Sequence, residues 1–208
     1  MSRGAYSSAN YFSLASATLI TAFPFTMACW FRPSTLTACA ILGYGETTTS
    51  NNRWSLEMNA SGNARCSTTS GGTFIGFNSS NAISAGSWAH FCAVWASATD
   101  RRVFLNGTKA TNTSSVGFST NAAWQWRCGE RPLNITAPAD GWIADRTIWN
   151  LALADDDVTS LASRARHLRI RPAGVVAYAP MVNDERDLVG PAWTENGTVP
   201  VQDHPRII

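Results

Sequence analysis

Charge is the scarcest commodity in this chain. Asp, Glu, Lys and Arg make up 14% of its 208 residues, with a net charge of +2 at neutral pH, against a usual share near ~25%. So small a net charge does not by itself argue for nucleic acid, and no direct nucleic-acid partner is expected. Long apolar runs are missing as well: Leu14 to Phe25 is broken by Ser16, Thr18, Thr21 and Pro24, so neither a membrane span nor the apolar segment of a leader is expected. Met1 to Ser8 is no secretory signal, and the chain is expected to be made and folded in a cytoplasm. Cys29, Cys39, Cys66, Cys92 and Cys128 are odd in number and match no zinc spacing, which points to small buried apolar residues rather than bridges or ligands. There is no G-x-S-x-G, and His90, His167 and His204 have no regular local partner, so a serine or cysteine nucleophile has no support.

What is present is a succession of short extended runs parted by turn residues. Ser84 to Thr111 organises the rest. Trp88, His90, Cys92 and Val94 alternate with Ala89, Phe91, Ala93 and Trp95, and both sets are largely apolar, so this strand should be covered on both faces. Val103-Phe104-Leu105 resumes the extended pattern, and Asn106-Gly107 then supplies the strongest two-residue hairpin signal. Further strands are predicted over Tyr6–Leu14, Phe25–Arg32, Ala38–Tyr44, Arg53–Asn59 (Trp54, Leu56 and Met58 inward), Ala64–Thr69, Phe74–Phe77, Ala123–Cys128, Gly141–Trp149 and Val175–Met181. Turn signals at this spacing mark a sandwich or barrel. One short helix is expected near 155–168, capped by Asp155, with Asp156 and Asp157 in its first turn and Arg164, Arg166 and His167 at its end to suit the dipole.

Several stretches together resemble the laminin G-like, pentraxin-like members of the concanavalin A-like superfamily. They are the W-x-H-F strand with its V-F-L-N-G-T-K hairpin, Phe25 to Pro33, Asn52 to Met58, and Asp140 to Asn150 followed by the short helix. The resemblance covers roughly residues 5–165. It implies an all-β fold, a concanavalin A-like antiparallel β-sandwich (jelly roll), expected here over 1–182. A C-terminal extension, 183–208, would then pack on the sandwich or on a neighbouring subunit.

A fold with so many uses leaves function to the side chains. Glycoside hydrolysis needs two facing carboxylates, and the E-x-D-x-x-E run of the superfamily's glucanases is absent. Glu57 stands alone in its strand and Asp145 adjoins Arg146. No catalytic residue is therefore assigned and the protein is expected not to be an enzyme. Calcium, which such modules hold at the sandwich rim, would draw on Glu46, Asn51, Asn52, Glu130 and Asp140. That set is sparse for six to eight oxygen ligands, so no cofactor or metal is assigned, with calcium the one ion the rim could take. Sugar binding would use aromatic faces, and the candidates are Trp124, Trp126, Arg127, Asn106 and Asp140, with Trp142 and Trp193 behind them. The one concentration of charge, Arg164, Arg166, Arg169 and Arg171, would suit an acidic protein surface.

A lone module of this type, lightly charged and without a leader, resembles structural proteins of bacteriophage particles. The resemblance implies a non-enzymatic virion protein made in the host cytoplasm. Decoration or cementing of the capsid is the first expectation, through contacts with the major capsid protein in a homo-oligomeric assembly. A glycan-binding lectin or phage adhesin, and a degenerate glycoside hydrolase, are the alternatives.

Overall fold

A computed structural model describes residues 2–4, 6, 9–15, 19–49, 51–118, 124–132, 137–181 and 188–202. It holds fifteen strands and one α-helix among the described residues. In chain order these are β1 (Ser2–Gly4), β2 (Tyr11–Leu14), β3 (Phe25–Pro33), β4 (Cys39–Glu46), β5 (Arg53–Met58), β6 (Ala64–Ser70), β7 (Thr73–Asn78) and β8 (Ala89–Ser97). They continue as β9 (Asp100–Leu105), β10 (Thr108–Asn112), β11 (Trp124–Cys128), β12 (Gly141–Trp149), α1 (Asp155–Ala162), β13 (Val175–Ala179), β14 (Thr194–Asn196) and β15 (Val201–Gln202).

The strands form two antiparallel sheets. The first runs β10-β9-β8-β3-β12-β1-β15, with β13 pairing the far half of β12, and the second runs β14-β2-β11-β4-β5-β6-β7. Alternation explains the layers. Phe25, Met27, Cys29 and Phe31 of β3 and Phe91, Ala93 and Trp95 of β8 point into the space between the sheets, where they meet Leu42, Tyr44, Trp54, Leu56 and Met58 from β4 and β5. Two of the polar groups that enter this core are bonded there: the Trp95 indole donates to the Thr68 hydroxyl at 2.9 Å and the Tyr44 hydroxyl to the Ile20 carbonyl at 3.0 Å, as buried polar groups normally are.

β8 is indeed covered on both faces, and its outer cover is helical. Ala28, Cys92, Val94 and Phe104 pack against Leu153, Val158 and Leu161 of α1 and its approach. The β9–β10 turn has positive φ at both Asn106 (51°) and Gly107 (81°), the geometry a type I′ turn demands. All five cysteine side chains are buried and none forms a disulfide; burial pushes the Cys39 thiol up to about 12.

Three sequence expectations need correction. The first strand does not run from Tyr6 to Leu14: β2 begins at Tyr11 and β1 joins the opposite sheet. The helix is capped at Ala154, not Asp155, with the Ala154 N–H donating to the Asp157 carboxylate at 3.1 Å. It also stops at Ala162, because Arg164 adopts a left-handed φ of 71°, so no basic residue stands in its last turn. His167 instead enters a separate 3-10 turn, His167–Arg169, and is buried.

Residues 188–202 lie along one side of the sandwich. β14 pairs with β2 and β15 with β1, and Trp193 and Val199 are buried there. Residues 183–187 and 203–208 of the expected extension, His204 included, lie outside the described residues.

Candidate binding face on the second sheet

Residues that alternate away from the core on β2, β11, β4, β5, β6 and β7 form the outer face of the second sheet. The cross-strand registers set three rows. Gly45, Arg53, Thr69 and Phe74 stand abreast; so do Gly43, Ser55, Ser67 and Gly76; and Glu57 faces Arg65, which faces Asn78. Small residues sit where long ones must pass. A Cβ on Gly43 would lie 2.7 Å from the Pro132 ring, so glycine there lets the segment after β11 cross the sheet.

That crossing carries Arg131 to Glu57. Its Nε and Nη2 donate to the two carboxylate oxygens at 2.9 Å each, and the hydroxyls of Ser55 (2.6 Å) and Ser67 (2.9 Å) donate to the same oxygens. Glu57 is only 1% exposed, and these four donors are what make a buried carboxylate tolerable. Beside it, Arg127 donates to Glu130 at 2.7 Å and to Gln125 at 2.9 Å, and lies 4.5 Å over the Tyr11 ring. Burial raises the Glu130 carboxyl above its ordinary range, opposed by Arg127.

Arg53 and Arg65 differ from both. Among the described residues neither has an ion-pair partner, and the Nε of each is buried without a hydrogen bond, as is the hydroxyl of Thr69, which stands opposite Arg53. Arg65 lies across Gly76 and 4.9 Å over the ring of Phe74, whose remaining surface leaves it 45% exposed. Burial, then the charge of Arg131, lowers the Arg53 guanidinium below its ordinary value; Glu57 opposes this and Arg65 adds to it.

The residues singled out from sequence fall elsewhere. Trp124 and Trp126 are corrected: they point inward, 2% and 0% exposed, and pack on Tyr44 with ring centroids 4.8 and 4.2 Å away. Neither offers a face to a ligand. Their neighbours Gln125 and Arg127 take the outer positions, and only Arg127 joins the candidate face. Trp193 lies under Arg146 at 4.0 Å and Trp142 packs with Arg32 at 5.1 Å.

Asn106 belongs to the first sheet, where its side-chain oxygen accepts the His90 N–H at 2.8 Å. Asp140 accepts the Thr35 hydroxyl at 2.8 Å and its carbonyl accepts the Ser34 N–H at 2.8 Å, the bonds of a turn residue. Arg164, Arg166, Arg169 and Arg171 are all exposed along the stretch after α1, and Arg171 pairs with Asp157 at 2.9 Å. His90 and His167 are buried together, consistent with a core role for His90.

The rim acids proposed for calcium do not converge. Glu46 is engaged by Thr49 and by Asn52, the latter at 2.6 Å. Among the described residues no group of three or more His, Cys, Asp or Glu is placed to hold a metal. A cavity of about 340 Å³ at residues 19–24 and Asn150 has no charged lining. No helix among the described residues is long and apolar enough to cross a membrane.

Comparison with known proteins agrees with the layers. Among solved structures, the heptameric SAP-like pentraxin of Limulus polyphemus superposes with a TM-score of 0.66 at 15% identity, covering 91% of this chain and 87% of that one. The CBM40 of the Ruminococcus gnavus IT-sialidase, solved with α2,3-sialyllactose, gives 0.63 at 14% identity, covering 78% and 94%. Domain 4 of AbnA, a GH43 arabinanase of Geobacillus stearothermophilus solved with arabinotriose, gives 0.53 at 20%, covering 72% and 71%. At these identities the likeness speaks for the fold. No curated protein matches the chain in sequence. The model of the concanavalin A-like lectin/glucanases superfamily matches residues 6–159, and with the two antiparallel layers in place the chain belongs to that superfamily.

Proposed function

We propose that the protein is a non-enzymatic saccharide-binding module whose ligand lies on the outer face of the second sheet. One observation carries this reading: Phe74, 45% exposed, shares a row with Thr69 and Arg53 and packs beside Arg65. An aromatic face beside oriented polar groups is what a pyranose ring requires, since its C–H surface packs on the ring while its hydroxyls bond the polar side chains. Structural neighbours that are carbohydrate-binding modules support the reading through the fold. The non-enzymatic part is supported by the carboxylates of this face: Glu57 is saturated by Arg131 and two serines, and Glu130 is held by Arg127, so neither is free to serve as the acid or nucleophile of glycoside hydrolysis. The test is a glycan array followed by calorimetry with wild-type protein and Phe74→Ala. Binding weakened about tenfold or more with the melting temperature kept supports the proposal, and identical binding by the variant overturns it.

A second reading, a virion decoration or cement protein assembled in a host cytoplasm, is favoured by one observation. Arg164, Arg166, Arg169 and Arg171 are exposed together on the side of the first sheet, where they would meet an acidic subunit surface such as that of a major capsid protein. Co-purification with particles in a fixed symmetric copy number tests it, and recovery only as a free monomer rejects it.

A further inference from the structure

We infer that Arg53, Arg65 and Thr69 form an anion-binding subsite, and that the saccharide this face takes carries a carboxylate. The inference rests on the saccharide reading above and adds the chemical class of the ligand.

Charge accounting comes first. Arg53, Arg65 and Arg131 share this face with one buried carboxylate, Glu57, and of the three only Arg131 bonds it, through both oxygens. Three guanidiniums against one carboxylate leave two positive charges, on Arg53 and Arg65. Arg127 adds nothing to the surplus, because Glu130 neutralises it.

Hydrogen bonding comes second. The Nε of Arg53, the Nε of Arg65 and the Oγ1 of Thr69 are each buried with no hydrogen-bond partner. Buried donors are normally satisfied, and each that is not costs of order 1–3 kcal/mol. Here Arg53 stands directly opposite Thr69, and Arg65, four residues before Thr69 on β6, reaches back over Gly76 to Phe74 at the end of the same row. An oxyanion placed on this row would lie against the guanidiniums of Arg53 and Arg65 and neutralise part of the surplus.

Third, the patch borders an apolar platform. Thr69 stands opposite Phe74, and the Phe74 ring carries Arg65 on one side. A bare inorganic anion has no use for such a ring, whereas an acidic sugar presents a carboxylate and a C–H face together.

The experiment measures binding by calorimetry to two acidic probes, trigalacturonate and 3′-sialyllactose, and to their neutral counterparts, galactotriose and lactose, with sodium phosphate as the free-anion control. Wild-type protein is compared with Arg53→Gln, Arg65→Gln and Arg65→Lys at low and high salt. Supporting results are an acidic probe bound at least about tenfold more tightly than its neutral counterpart, a preference that shrinks in salt, loss of it in either Gln variant, and part of it kept by Arg65→Lys. Neutral and acidic sugars bound alike, with dependence on Phe74, would overturn the anion subsite and leave the saccharide face standing. No sugar bound at all would overturn both, and phosphate bound without any saccharide would likewise reject the assignment. Circular dichroism and melting temperature show that the variants fold; among the described residues Arg53 and Arg65 donate no hydrogen bond, so their loss leaves no acceptor stranded.

Discussion

The imidazoles of His90 and His167 meet edge to face with centroids 5.5 Å apart, and both side chains are fully buried. They sit between the first sheet and the segment that follows α1, with Trp30 against His90 and with Trp149, Tyr178 and Thr147 around His167. Two imidazoles in that space can be neutral together but not charged together.

Acid sensitivity follows. Burial, then the neighbouring His167, holds the His90 imidazole well below its ordinary value. The unfolded chain, with a value near ~6.5, takes up the proton more readily than the folded one. The contribution of His90 is therefore complete above about pH 6.5 and falls as pH drops below it, at roughly 1.4 kcal/mol per unit. Thermal melts between pH 8 and 4 should show the decline begin above the carboxylate range, and His90→Gln should flatten it. Calorimetric unfolding of wild-type protein in two buffers of different ionisation enthalpy checks the same proton uptake without a variant. A melting temperature unchanged from pH 7 to 5 contradicts the assignment.

The Glu57–Arg131 pair makes a second prediction. Glu57→Gln leaves a guanidinium facing an amide and should cost about 3 kcal/mol, or roughly 6–12 °C in melting temperature for a chain of this size. Arg53→Gln, four residues along the same strand, should leave stability unchanged or raise it, because it removes a charge that Arg131 and Arg65 repel. Chemical denaturation of the two variants distinguishes a paired arginine from an unpaired one.

Trp126→Ala should destabilise by about 3–5 kcal/mol, since it empties the space against which Tyr44 stacks at 4.2 Å. Under conditions where the variant remains folded, its affinity for any saccharide should match wild type. Selective loss of affinity in a fully folded Trp126→Ala would place the ligand near the aromatic core instead.

Gly43→Ala would set a Cβ 2.7 Å from the Pro132 ring and 3.3 Å from the Glu130 carbonyl. The crossing segment must lift, and Arg131 with it. A loss of about 1–3 kcal/mol is expected, together with weaker coupling between Glu57 and Arg131 in a double-mutant cycle.

Most of the layered architecture was legible because its signals are local and repeat. The alternation in β3, β5, β8 and β12 and the Asn106-Gly107 turn place those elements within a residue or two. The helix end was missed because Arg164, Arg166 and His167 suit a helix dipole by type, while the left-handed Arg164 that ends the helix leaves no mark in composition. The burial of Trp124 and Trp126 was missed for a different reason. Tryptophan was read as a ligand platform, yet in W-Q-W-R the polar alternates Gln125 and Arg127 already say which face is outward. The same parity in R-W-S-L-E and R-C-S-T-T sets Arg53, Ser55, Glu57, Arg65, Ser67 and Thr69 on one surface, and that pattern could have been read. The partnership of Glu57 with Arg131, 74 residues away in the chain, could not: it depends on a segment crossing a sheet at a glycine.

Ser2 pairs with Gln202 and Arg3 with Val201, so the first and last strands of the fold are immediate neighbours. A short peptide joining them would close the backbone into a ring without disturbing either layer, and new termini could then be opened at an exposed turn such as Gly71-Gly72. For the same reason the domain can be spliced into a loop of another protein through a single narrow stalk, which leaves the opposite flank, where β7 and β10 run, facing away from its host.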